Sequence, residues 1–536
     1  MVTFTRAITV ASGVFAPGHL GELTRVIPFD LVDAVLSETG GVERRLRSLP
    51  SRVGVYLVLA MGLFGGVGLA GVWSQLVAGL GGLEVPAPSE KALRDLRRRI
   101  GPAPLKALFE VLAGPLAQPY TPGARYRCWR TVAFDGCCST KVADTEANRA
   151  VFGPFKTRHG ERGYPMLMLM TLAETGTRAL LGAVFGPIAT GEIAWARQLL
   201  GLLTPGMLLL DDRGFDADEF LAEIKATGAQ FLVRARASRR PPVLAVLPDG
   251  SYLTLIGTLR LRAIDAQITV TGQDGTVVTG TYRLLTTLLN AHTDPAPTLI
   301  TLYRERWEIE SAYYALRHTL LGGRVLRSKD PTGIDQEMWG ILTVYQALRT
   351  MMVAACETRP GTDPDRASFT LALHAARHSV TTATGITDDP EHPTEHITRA
   401  ILTSLLPPRR PRYSARKLKA PGTRYSINND PQRPRTSTHV THTHTTIHPP
   451  GPPTNPARTT TTPPTKHEIL NVLHQRPNHP HTLREIAGAL GLYGRTHVNR
   501  LTTRLSAWAR QGLLTKTAPG IYMITTQHPL THPPKP

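Results

Sequence analysis

Cysteine is scarce in this chain and never occurs in pairs with metal-binding spacing. Only four cysteines occur among 536 residues, and no two of them are separated by two residues. Zinc knuckles need such pairs and small secreted domains need several disulfides, so both classes are disfavoured. The N-terminus also lacks a basic stretch followed by an apolar run and a cleavage site of small residues. We therefore expect a protein of the reducing cytoplasm.

Charge is missing between Val53 and Leu83, where no Asp, Glu, Lys or Arg occurs. The run is long enough to span a bilayer, so a membrane-tethered regulator is one interpretation. Nine glycines interrupt the run, and their cluster at residues 65–71 favours two buried helices joined by a glycine turn. We expect the second arrangement and no membrane association.

Acidic residues are scarce beyond residue 400. The whole chain has 61 Lys and Arg against 41 Asp and Glu, which gives a net charge of +20. From residue 401 onward 19 basic residues face only three acids, so this part carries +16 and residues 1–400 carry +4. This distribution indicates a polyanionic partner, either nucleic acid or an anionic membrane surface.

The length of the chain exceeds what one hydrophobic core can hold and suggests three or four domains. Residues 1–120 are predicted to form a helical domain, because apolar residues recur at spacings of three and four over 29–36 and 93–100. Ser89 stands where a helix cap is expected.

Short apolar runs replace the helical pattern in residues 125–405, which we predict to be one domain. The runs that predict buried strands are 130–134, 166–172, 179–185, 206–210 and 230–234. Helix-like stretches at 192–203 and 218–227 separate the last three runs. The order of three strands, helix, strand, helix and strand is typical of a mixed α/β layer fold.

An insertion at residues 237–296 has alternating strand-like pieces at 252–255 and 266–271, with Asp-Gly turn signals between such pieces. We expect a small β subdomain there. The pattern then becomes helical, which predicts one helix over about 297–321 and another over about 335–356.

Residues 406–465 are rich in Pro, Arg, Thr and His and poor in large apolar side chains. They cannot bury enough surface to offset the entropy of ordering, so we interpret them as a basic linker. Residues 466–526 regain periodicity, with a helix, a second helix opened by the capping box of Thr482 and Glu485, a third helix over 496–511 and a β wing. This order is typical of a winged-helix-like domain.

Basic residues of the linker and of the third C-terminal helix are candidates for DNA contact. A merely solvated linker and a protein-binding winged helix are the alternatives. The candidate DNA-binding residues are Arg409, Arg410, Arg412, Arg416, Lys417, Arg495, Arg500 and Arg504. The linker histidines His439, His442, His444 and His448 are better explained by low complexity than by a metal site, since no Cys or acid accompanies them.

Two aspartates stand at the ends of predicted buried strands. Asp135 follows the run 130–134, and Asp212 follows the run 206–210 after one further aspartate. Acids at the carboxyl ends of strands in an open α/β sheet are placed to meet an ion or substrate. For each aspartate taken alone, a strand-end turn or a helix cap is the favoured explanation.

A third acid lies in a polar stripe of the following helix. Tyr303, Arg306, Glu310 and Arg317 are separated by two, three and six residues. On a regular α-helix they fall at roughly 0, 300, 340 and 320 degrees, which is one narrow face. Such a face suits a phosphodiester, with Glu310 on a metal and Tyr303, Arg306 and Arg317 at DNA phosphates. A surface ion-pair stripe is the alternative, since Arg306 and Glu310 are also an i, i+4 pair.

Asp135, Asp212 and Glu310 together would supply the hard oxygen ligands that Mg²⁺ or Mn²⁺ prefers. Two such ions about 4 Å apart can activate an attacking water or 3′-hydroxyl and stabilise the leaving oxygen. No protein nucleophile and no organic cofactor is then required.

Three stretches carry a resemblance to a known family. TVAFDGCCST, LLLDDRGFDADEF and YRERWEIESAYYALR resemble the acidic motifs of the DDE transposases of the insertion-sequence-four family, whose catalytic core is ribonuclease H-like. The last motif of the family reads Tyr, two residues, Arg, three residues, Glu, six residues, Lys. The chain matches it at Tyr303, Arg306 and Glu310, and Arg317 stands in place of the lysine.

The resemblance covers about residues 10–425 and implies a set of properties. It implies that Asp212 is the second metal ligand, that Asp211 faces away, and that the β insertion belongs to the core. It also implies cleavage at terminal inverted repeats, transfer of 3′ ends to target DNA, and a homo-oligomeric synaptic complex in which the N-terminal helices help hold the DNA ends. We expect this work to be done on the nucleoid. A degenerate DNA-binding protein and a metal-dependent nuclease without strand transfer stay open.

Overall fold

The computed structural model of the chain divides into two compact units, residues 1–239 with 262–448, and residues 240–261 with 449–536. The residues that the structure describes are 18–43, 45, 47–81, 83–153, 156–157, 160–161, 163–386, 395–407, 412–413, 438–450, 464–490, 492 and 495–524. The predicted basic residues Arg409, Arg410, Arg416 and Lys417 lie outside them.

Five helices form the N-terminal part of the first unit, as the apolar periodicity predicts. They are α1 (Phe29–Glu38), α2 (Ser51–Leu63), α3 (Leu69–Val77), α4 (Glu90–Ile100) and α5 (Ala103–Leu112). Ser89 caps α4, since its side chain accepts a hydrogen bond from the backbone of Ala92. The uncharged run forms two helices, α2 and α3, with a short glycine-containing turn between them. Among the residues that the structure describes, no helix is both long and apolar enough to cross a membrane.

A mixed sheet forms the centre of the first unit. Its strands are β1 (Arg125–Tyr126), β2 (Trp129–Lys141), β5 (Met166–Glu174), β6 (Leu180–Pro187), β7 (Met207–Asp211) and β8 (Gln230–Arg234), and two short strands, β3 (Lys156–Thr157) and β4 (Gly160–Glu161), pair outside it. The central order is β6-β5-β2-β7-β8. β5 runs antiparallel to β2 and β6, whereas β7 runs parallel to β2 and β8. All five predicted strands are confirmed, and the arrangement fits a ribonuclease H-like core.

Helices separate the strands of the sheet where the pattern predicts them. They are α6 (Glu146–Phe152), α7 (Glu192–Arg197) and α8 (Asp218–Ala226). The predicted helix over 192–203 is shorter than expected, because α7 ends at Arg197 and only a 3-10 turn, Leu200–Leu202, follows before β7.

The insertion contains four strands, as its alternating pattern predicts, but it is not a separate subdomain. The strands are β9 (Ala245–Val246), β10 (Tyr252–Ile256), β11 (Leu259–Gly272) and β12 (Val277–Thr286). β12 pairs with β8, with Leu285 opposite Val233, so β11 and β12 extend the central sheet. The antiparallel pair of β11 and β12 satisfies the backbone hydrogen-bonding groups of β12 at the existing edge strand β8, and it does not form a new core.

The interpretation of residues 406–465 as a linker is wrong for part of this segment. β14 (Thr438–Ile447) pairs antiparallel with β11, and β13 (Arg412–Tyr413) pairs with β14. Thr and Val favour extended backbone, and the edge of β11 offers the hydrogen-bonding partner that a single strand lacks. His442 and His444 therefore lie on a strand, opposite Thr271 and Thr269.

The predicted helix over 297–321 is helical throughout but is not one regular α-helix. It consists of α9 (Ala296–Leu302), a 3-10 segment (Tyr303–Trp307), α10 (Glu308–Tyr314) and a π segment (Ala315–Leu320). α11 (Pro331–Glu357), α12 (Phe369–Thr381) and α13 (His396–Thr403) follow. α11, capped by Asp330, shares one hydrophobic core with the N-terminal helices and with strands β2, β5 and β6.

The C-terminal part of the second unit has three helices and a three-stranded sheet. Its elements are α14 (Lys466–His474), β15 (His481–Thr482), α15 (Leu483–Ala489), α16 (Arg495–Arg510), β16 (Thr515–Ala518) and β17 (Ile521–Met523). The sheet order is β15-β17-β16, and a cluster led by Ile469, Leu505 and Tyr522 fills the core. Capping boxes open α14 and α15.

A carboxylate from the start of the described chain caps its last helix in the first unit. Glu22 is fully buried, and its two oxygens accept hydrogen bonds from the backbone N–H groups of His396 at 2.6 Å and Ile397 at 3.0 Å. The N–H groups of a first helical turn have no partner within the helix, and a negative charge there is favourable.

We predict that Glu22→Ala lowers the melting temperature of the full chain, because it leaves two buried N–H groups without acceptors. The free energy of unfolding should fall by about 2 kcal/mol. Glu38→Ala, at an exposed position at the end of α1, is the control and should melt like the wild type. Equal melting of both variants, followed by circular dichroism, would contradict the capping role.

Candidate active site

Asp135 lies within the central strand and not at its end as predicted. β2 continues to Lys141, because β5 goes on pairing with it and places Thr171 opposite Asp135. The side chain of Asp135 is half-buried, and its Oδ1 accepts a hydrogen bond from the backbone of Gly136 at 3.0 Å.

Asp212 follows the end of β7 directly and serves as a cap. Its Oδ1 accepts a hydrogen bond from the backbone of Gly214 at 2.6 Å and so opens a 3-10 turn. β7 runs parallel to β2 with Leu209 opposite Val132, so Asp212 comes level with Asp135, three residues further along each strand. The cap interpretation is therefore confirmed for Asp212, and its charge also raises the pKa of the neighbouring Asp135.

Asp211 turns into the interior beside these two acids. It is fully buried, and its Oδ1 accepts a hydrogen bond from the backbone of Phe134 at 3.0 Å. Within the described part of the chain its Oδ2 has no hydrogen-bond partner. Burial raises the pKa of Asp211 well above its ordinary value, and the backbone hydrogen bond from Phe134 opposes this. Because its side chain is fully buried, Asp211 is not placed to meet a metal ion or DNA at the surface, which favours Asp212 over Asp211.

Glu310 is exposed on α10 and is paired with a buried arginine. Its Oε1 lies 3.5 Å from a terminal nitrogen of Arg306, whose side chain is only 6% exposed. The i, i+4 pair is therefore real, but only one partner lies at the surface. Burial opposes the charge of Arg306, yet nearby Tyr303 and the three acids outweigh it and raise its pKa.

Tyr303 and Arg306 lie beneath the acids and do not form an outer phosphate-binding surface. The hydroxyl of Tyr303 donates to the backbone carbonyl of Asp211 at 3.0 Å, and burial raises the pKa of Tyr303 above its ordinary range. The 3-10 segment turns both side chains inward, whereas the predicted face assumed a regular α-helix. In this structure they therefore support the acids, which differs from the predicted phosphate contact.

Arg317 is partly exposed and lies in the π segment. Tyr303 is buried, whereas Arg317 reaches the surface in part, so the two side chains differ in their access to solvent. Within the described residues no ion pair joins it to Asp135, Asp212 or Glu310.

The three acids influence one another electrostatically. Burial is the main cause that raises the pKa of Asp135 to about 7, Arg306 opposes this, and the charges of Glu310 and Asp212 raise the value further. Among the residues that the structure describes, no three His, Cys, Asp or Glu side chains lie close enough together to hold a metal ion as they stand. The ion pair with Arg306 holds Glu310 in its present position, so a change of its side-chain conformation is needed to bring it to the aspartates.

Tyr313 is a site residue that the sequence did not reveal. It is buried on α10, and its hydroxyl donates to the backbone carbonyl of Asp135 at 2.5 Å and lies 3.0 Å from the hydroxyl of Thr171. Burial raises the pKa of Tyr313 well above its ordinary value, so the hydroxyl stays protonated and able to donate. Tyr313 thus links the helix of Glu310 to the strand of Asp135.

A buried ion pair anchors the start of the same helix. Glu308 accepts a hydrogen bond from Nε of Arg178 at 2.8 Å, and Arg178 also lies 3.1 Å from Asp365. The position of Glu308, two residues before Glu310, gave no signal, because Arg178 lies 130 residues earlier in the sequence.

Comparisons with known proteins agree with this geometry. Residues 17–110 match the family model described as insertion element 4 transposase N-terminal, and residues 139–347 match the transposase DDE domain, which includes Asp212 and Glu310. The second match begins four residues beyond Asp135. The place of Asp135 in the site therefore depends on the sheet register.

Two curated relatives and one solved structure are similar to the chain. Transposase InsG for insertion sequence element IS4 of Escherichia coli K12 is 27% identical over 353 residues, which cover 63% of this chain and 78% of the relative. The putative transposase InsZ of the same strain is 24% identical over 141 residues, which cover 26% of this chain and 47% of the relative. The piggyBac transposase synaptic complex with hairpin DNA gives a TM-score of 0.35 at 8% identity, with 72% and 84% covered. A likeness this weak carries no argument.

We predict that Tyr313→Phe slows cleavage of a DNA end about tenfold while the melting temperature stays within a degree or so. The loss of one hydrogen bond of about 1.4 kcal/mol in the reacting state corresponds to that factor. Tyr314→Phe, at the adjacent exposed position, should cleave at the wild-type rate. If the two phenylalanine variants cleave equally fast, Tyr313 has no positioning role.

Proposed function

We propose that the chain is a DDE transposase of the insertion-sequence-four family that cuts at the terminal inverted repeats of its own element and transfers the 3′ ends to target DNA. It is a DNA transposase, an enzyme that cleaves and joins DNA strands. The observation that supports the proposal is the parallel register of β2 and β7, which brings Asp212, directly after β7, level with Asp135 on β2, while the charge of Glu310 raises the pKa of Asp135.

DDE transposase domains act with divalent metal ions, and we propose that Asp135, Asp212 and Glu310 hold two Mg²⁺ or Mn²⁺ ions. The donor set fits such ions, because it consists of carboxylate oxygens that repel one another. When bound, the ions activate the attacking water or 3′-hydroxyl and stabilise the leaving oxygen.

The remaining site residues support these three acids in our proposal. Arg306 supplies a buried positive charge that balances them and holds Glu310 until its carboxylate turns toward the aspartates. Tyr303 and Tyr313 fix the backbone beside Asp212 and Asp135 through their hydroxyls. Arg317, which is partly exposed, contacts a DNA phosphate in place of the lysine of the family.

We propose further that the protein acts as a homo-oligomer in a synaptic complex on the nucleoid, with the helical segment up to residue 120 holding the DNA ends. The N-terminal helices, α11 and the catalytic sheet share one hydrophobic core, which supports this role. Helices packed in this way can fix a bound DNA end relative to the three acids.

We predict that Asp135→Asn, Asp212→Asn and Glu310→Gln each abolish cleavage and joining of DNA that carries the flanks of the gene, while DNA binding stays within about threefold of the wild type. Each change removes a metal-binding charge at constant shape. Glu305→Gln, in the preceding 3-10 segment, is the matched control and should stay active.

The products distinguish the alternatives to transposition. Cleavage without joined product by the wild type would identify a nuclease, and binding without either reaction would identify a DNA-binding relic. Retained cleavage in any of the three acid variants would remove that residue from the site.

We propose that the C-terminal unit is a winged-helix domain that binds duplex DNA. Residues 464–524 contain eight Lys and Arg but only two acids, Glu468 and Glu485. Both acids accept backbone hydrogen bonds in capping boxes, and the excess of basic residues gives this segment a net charge of +6 (8 − 2). α16 presents Asn499, Arg500 and Thr503 to solvent, which suits a helix that enters a major groove.

Arg504 is less suited to DNA contact than its position in the sequence suggests. Its guanidinium donates to the backbone carbonyl of Pro464 at 2.5 Å and lies over the ring of Trp508. It therefore ties the start of α14 to α16. The side chain of Arg495 lies outside the described residues, which leaves Arg500 as the best candidate for base or phosphate contact.

We predict that Arg500→Ala weakens binding of the full chain to duplex DNA about tenfold and reduces the salt slope of the affinity by about one. Arg476→Ala is the control. Arg476 is an exposed arginine in the loop after α14, near the residue that follows β17, and it does not belong to α16. Fluorescence anisotropy at several salt concentrations measures both. Equal losses in both variants would indicate a diffuse charge effect without a recognition helix.

A further inference from the structure

The turn after Asp212 is held by a buried ion pair. Asp216 ends this turn and is buried, and its carboxylate pairs with the guanidinium of Arg239 in the loop after β8. Nε of Arg239 donates to Oδ2 of Asp216 at 2.9 Å, and a terminal nitrogen of Arg239 lies 2.7 Å from Oδ1. The backbone N–H of Arg236 donates to the same Oδ2 at 2.8 Å. Three nitrogen atoms of one loop therefore hold both oxygens of this carboxylate.

The same turn is linked to both site aspartates. Its Gly214 donates a backbone hydrogen bond to Oδ1 of Asp212 at 2.6 Å. The ring of Phe215 packs beside the ring of Phe134, which directly precedes Asp135, with 6.1 Å between the ring centroids. A shift of the turn would therefore move the carboxylate of Asp212 and disturb the packing next to Asp135.

The loop after β8 is held in its own right by the inserted strands. Arg283 of β12 donates to the backbone carbonyl of Arg239 at 2.5 Å. The carboxylate of Asp265, on β11, accepts hydrogen bonds from Nε and a terminal nitrogen of Arg283 at 2.5 and 2.8 Å. A continuous series of contacts thus runs from the β insertion through the loop after β8 to the turn after Asp212.

A contribution to stability alone does not account for the pair of Asp216 and Arg239. The cost of removing two charges from water largely offsets their attraction, and apolar side chains of similar volume often replace such pairs without loss of stability. Loss of one partner alone is costly, so a buried pair imposes one geometry on the segments that it joins. Here these segments are the two loops that follow the neighbouring parallel strands β7 and β8.

We propose that Arg239 is a positioning residue that holds the turn after Asp212 through Asp216 and so orients the carboxylate of Asp212 for metal binding. The inference rests on the function proposed above. The hydrogen bond from Gly214 fixes Oδ1 of Asp212, and this sets the direction in which the other oxygen can meet a cation. Hydrogen-bonded supports of metal-binding carboxylates contribute to metal affinity in this way. The β insertion braces the same support, because Arg283 holds the loop of Arg239.

Binding of Mn²⁺ to the full-length protein without DNA, measured by titration calorimetry, tests this role. The double variant Asp216→Asn/Arg239→Gln removes both charges together and so leaves no lone buried charge. We expect it to raise the dissociation constant for Mn²⁺ about tenfold. Arg97→Gln/Glu337→Gln is the matched control, because it removes another buried pair of an arginine and a carboxylate, between α4 and α11. This control should bind Mn²⁺ like the wild type.

Asp212→Asn distinguishes failure of this inference from failure of the proposed function. Loss of Mn²⁺ binding in Asp212→Asn together with wild-type binding in Asp216→Asn/Arg239→Gln overturns the positioning role alone. Wild-type binding in both overturns the metal site itself. Equal weakening in Asp216→Asn/Arg239→Gln and in the control pair would indicate a general loss of stability, and it also overturns the role of Arg239.

Arg239→Lys keeps the test decisive if the double variant does not fold. Lysine keeps a positive charge beside Asp216, but its single ammonium group cannot reproduce the paired contacts of the guanidinium. We expect this variant to melt like the wild type, followed by circular dichroism, and to bind Mn²⁺ several-fold more weakly. Wild-type Mn²⁺ affinity in Arg239→Lys overturns the proposal.

Arg283→Gln tests the contribution of the inserted strands. It should weaken Mn²⁺ binding in the wild-type chain and have no further effect in the Asp216→Asn/Arg239→Gln background. Such non-additivity is expected when changes act on one series of contacts. Additive losses would show that Arg283 acts independently of Arg239, and wild-type binding by Arg283→Gln alone would contradict the link to the insertion.

Discussion

The parallel pairing of β2 with β7 is the constraint on which the site depends, because it forces two aspartates to the same level of adjacent strands. Two neighbouring carboxylates repel each other when both are charged, and burial strengthens this repulsion. The surrounding structure is arranged to tolerate them: Arg306 supplies a buried positive charge, and the backbone N–H groups of Gly136 and Gly214 donate to the carboxylates. The divalent ions that we propose for this site would offset the remaining repulsion.

The helical segment around Glu310 is held next to Asp135 and Asp212 by side-chain hydrogen bonds and not by sheet pairing. Tyr303 and Tyr313 reach the strands from both sides of Glu310, and each donates to a main-chain carbonyl. Glu308 holds the same segment to Arg178 on the turn after β5. These anchors act on the backbone or on a neighbouring turn, whereas the carboxylate of Glu310 is exposed and pairs with Arg306.

The sequence predicted the layers of the fold well, because buried strands such as Met207–Asp211 and caps such as Ser89 leave local patterns. The sequence-based prediction failed for strands whose pairing partner lies far away in the sequence. β11 and β12 looked like a separate subdomain, since no local signal shows that β12 joins β8, and the Thr- and His-rich strand β14 looked like a linker because its partner is an edge strand about 170 residues earlier. The three acids Asp135, Asp212 and Glu310 were proposed from motifs, and they stay a prediction. The contact of Tyr313 with the strand of Asp135 left no signal in the sequence, since an isolated tyrosine has an ordinary structural explanation.

The change from α to 3-10 to π geometry along residues 303–320 has a consequence for the family motif. A regular α-helix would place the tyrosine, arginine, glutamate and final basic residue of the motif on one face. Tyr303 and Arg306 would then compete for space with Glu310 and Arg317. Tyr303 and Arg306 lie in the 3-10 segment and are buried, whereas Arg317 lies in the π segment and is partly exposed. The roles that we propose follow this difference: the buried pair supports the acids and Arg317 contacts DNA. Arginine at position 317 suits the outer role, because its planar guanidinium can bind a phosphate through two hydrogen bonds where a lysine offers a point charge.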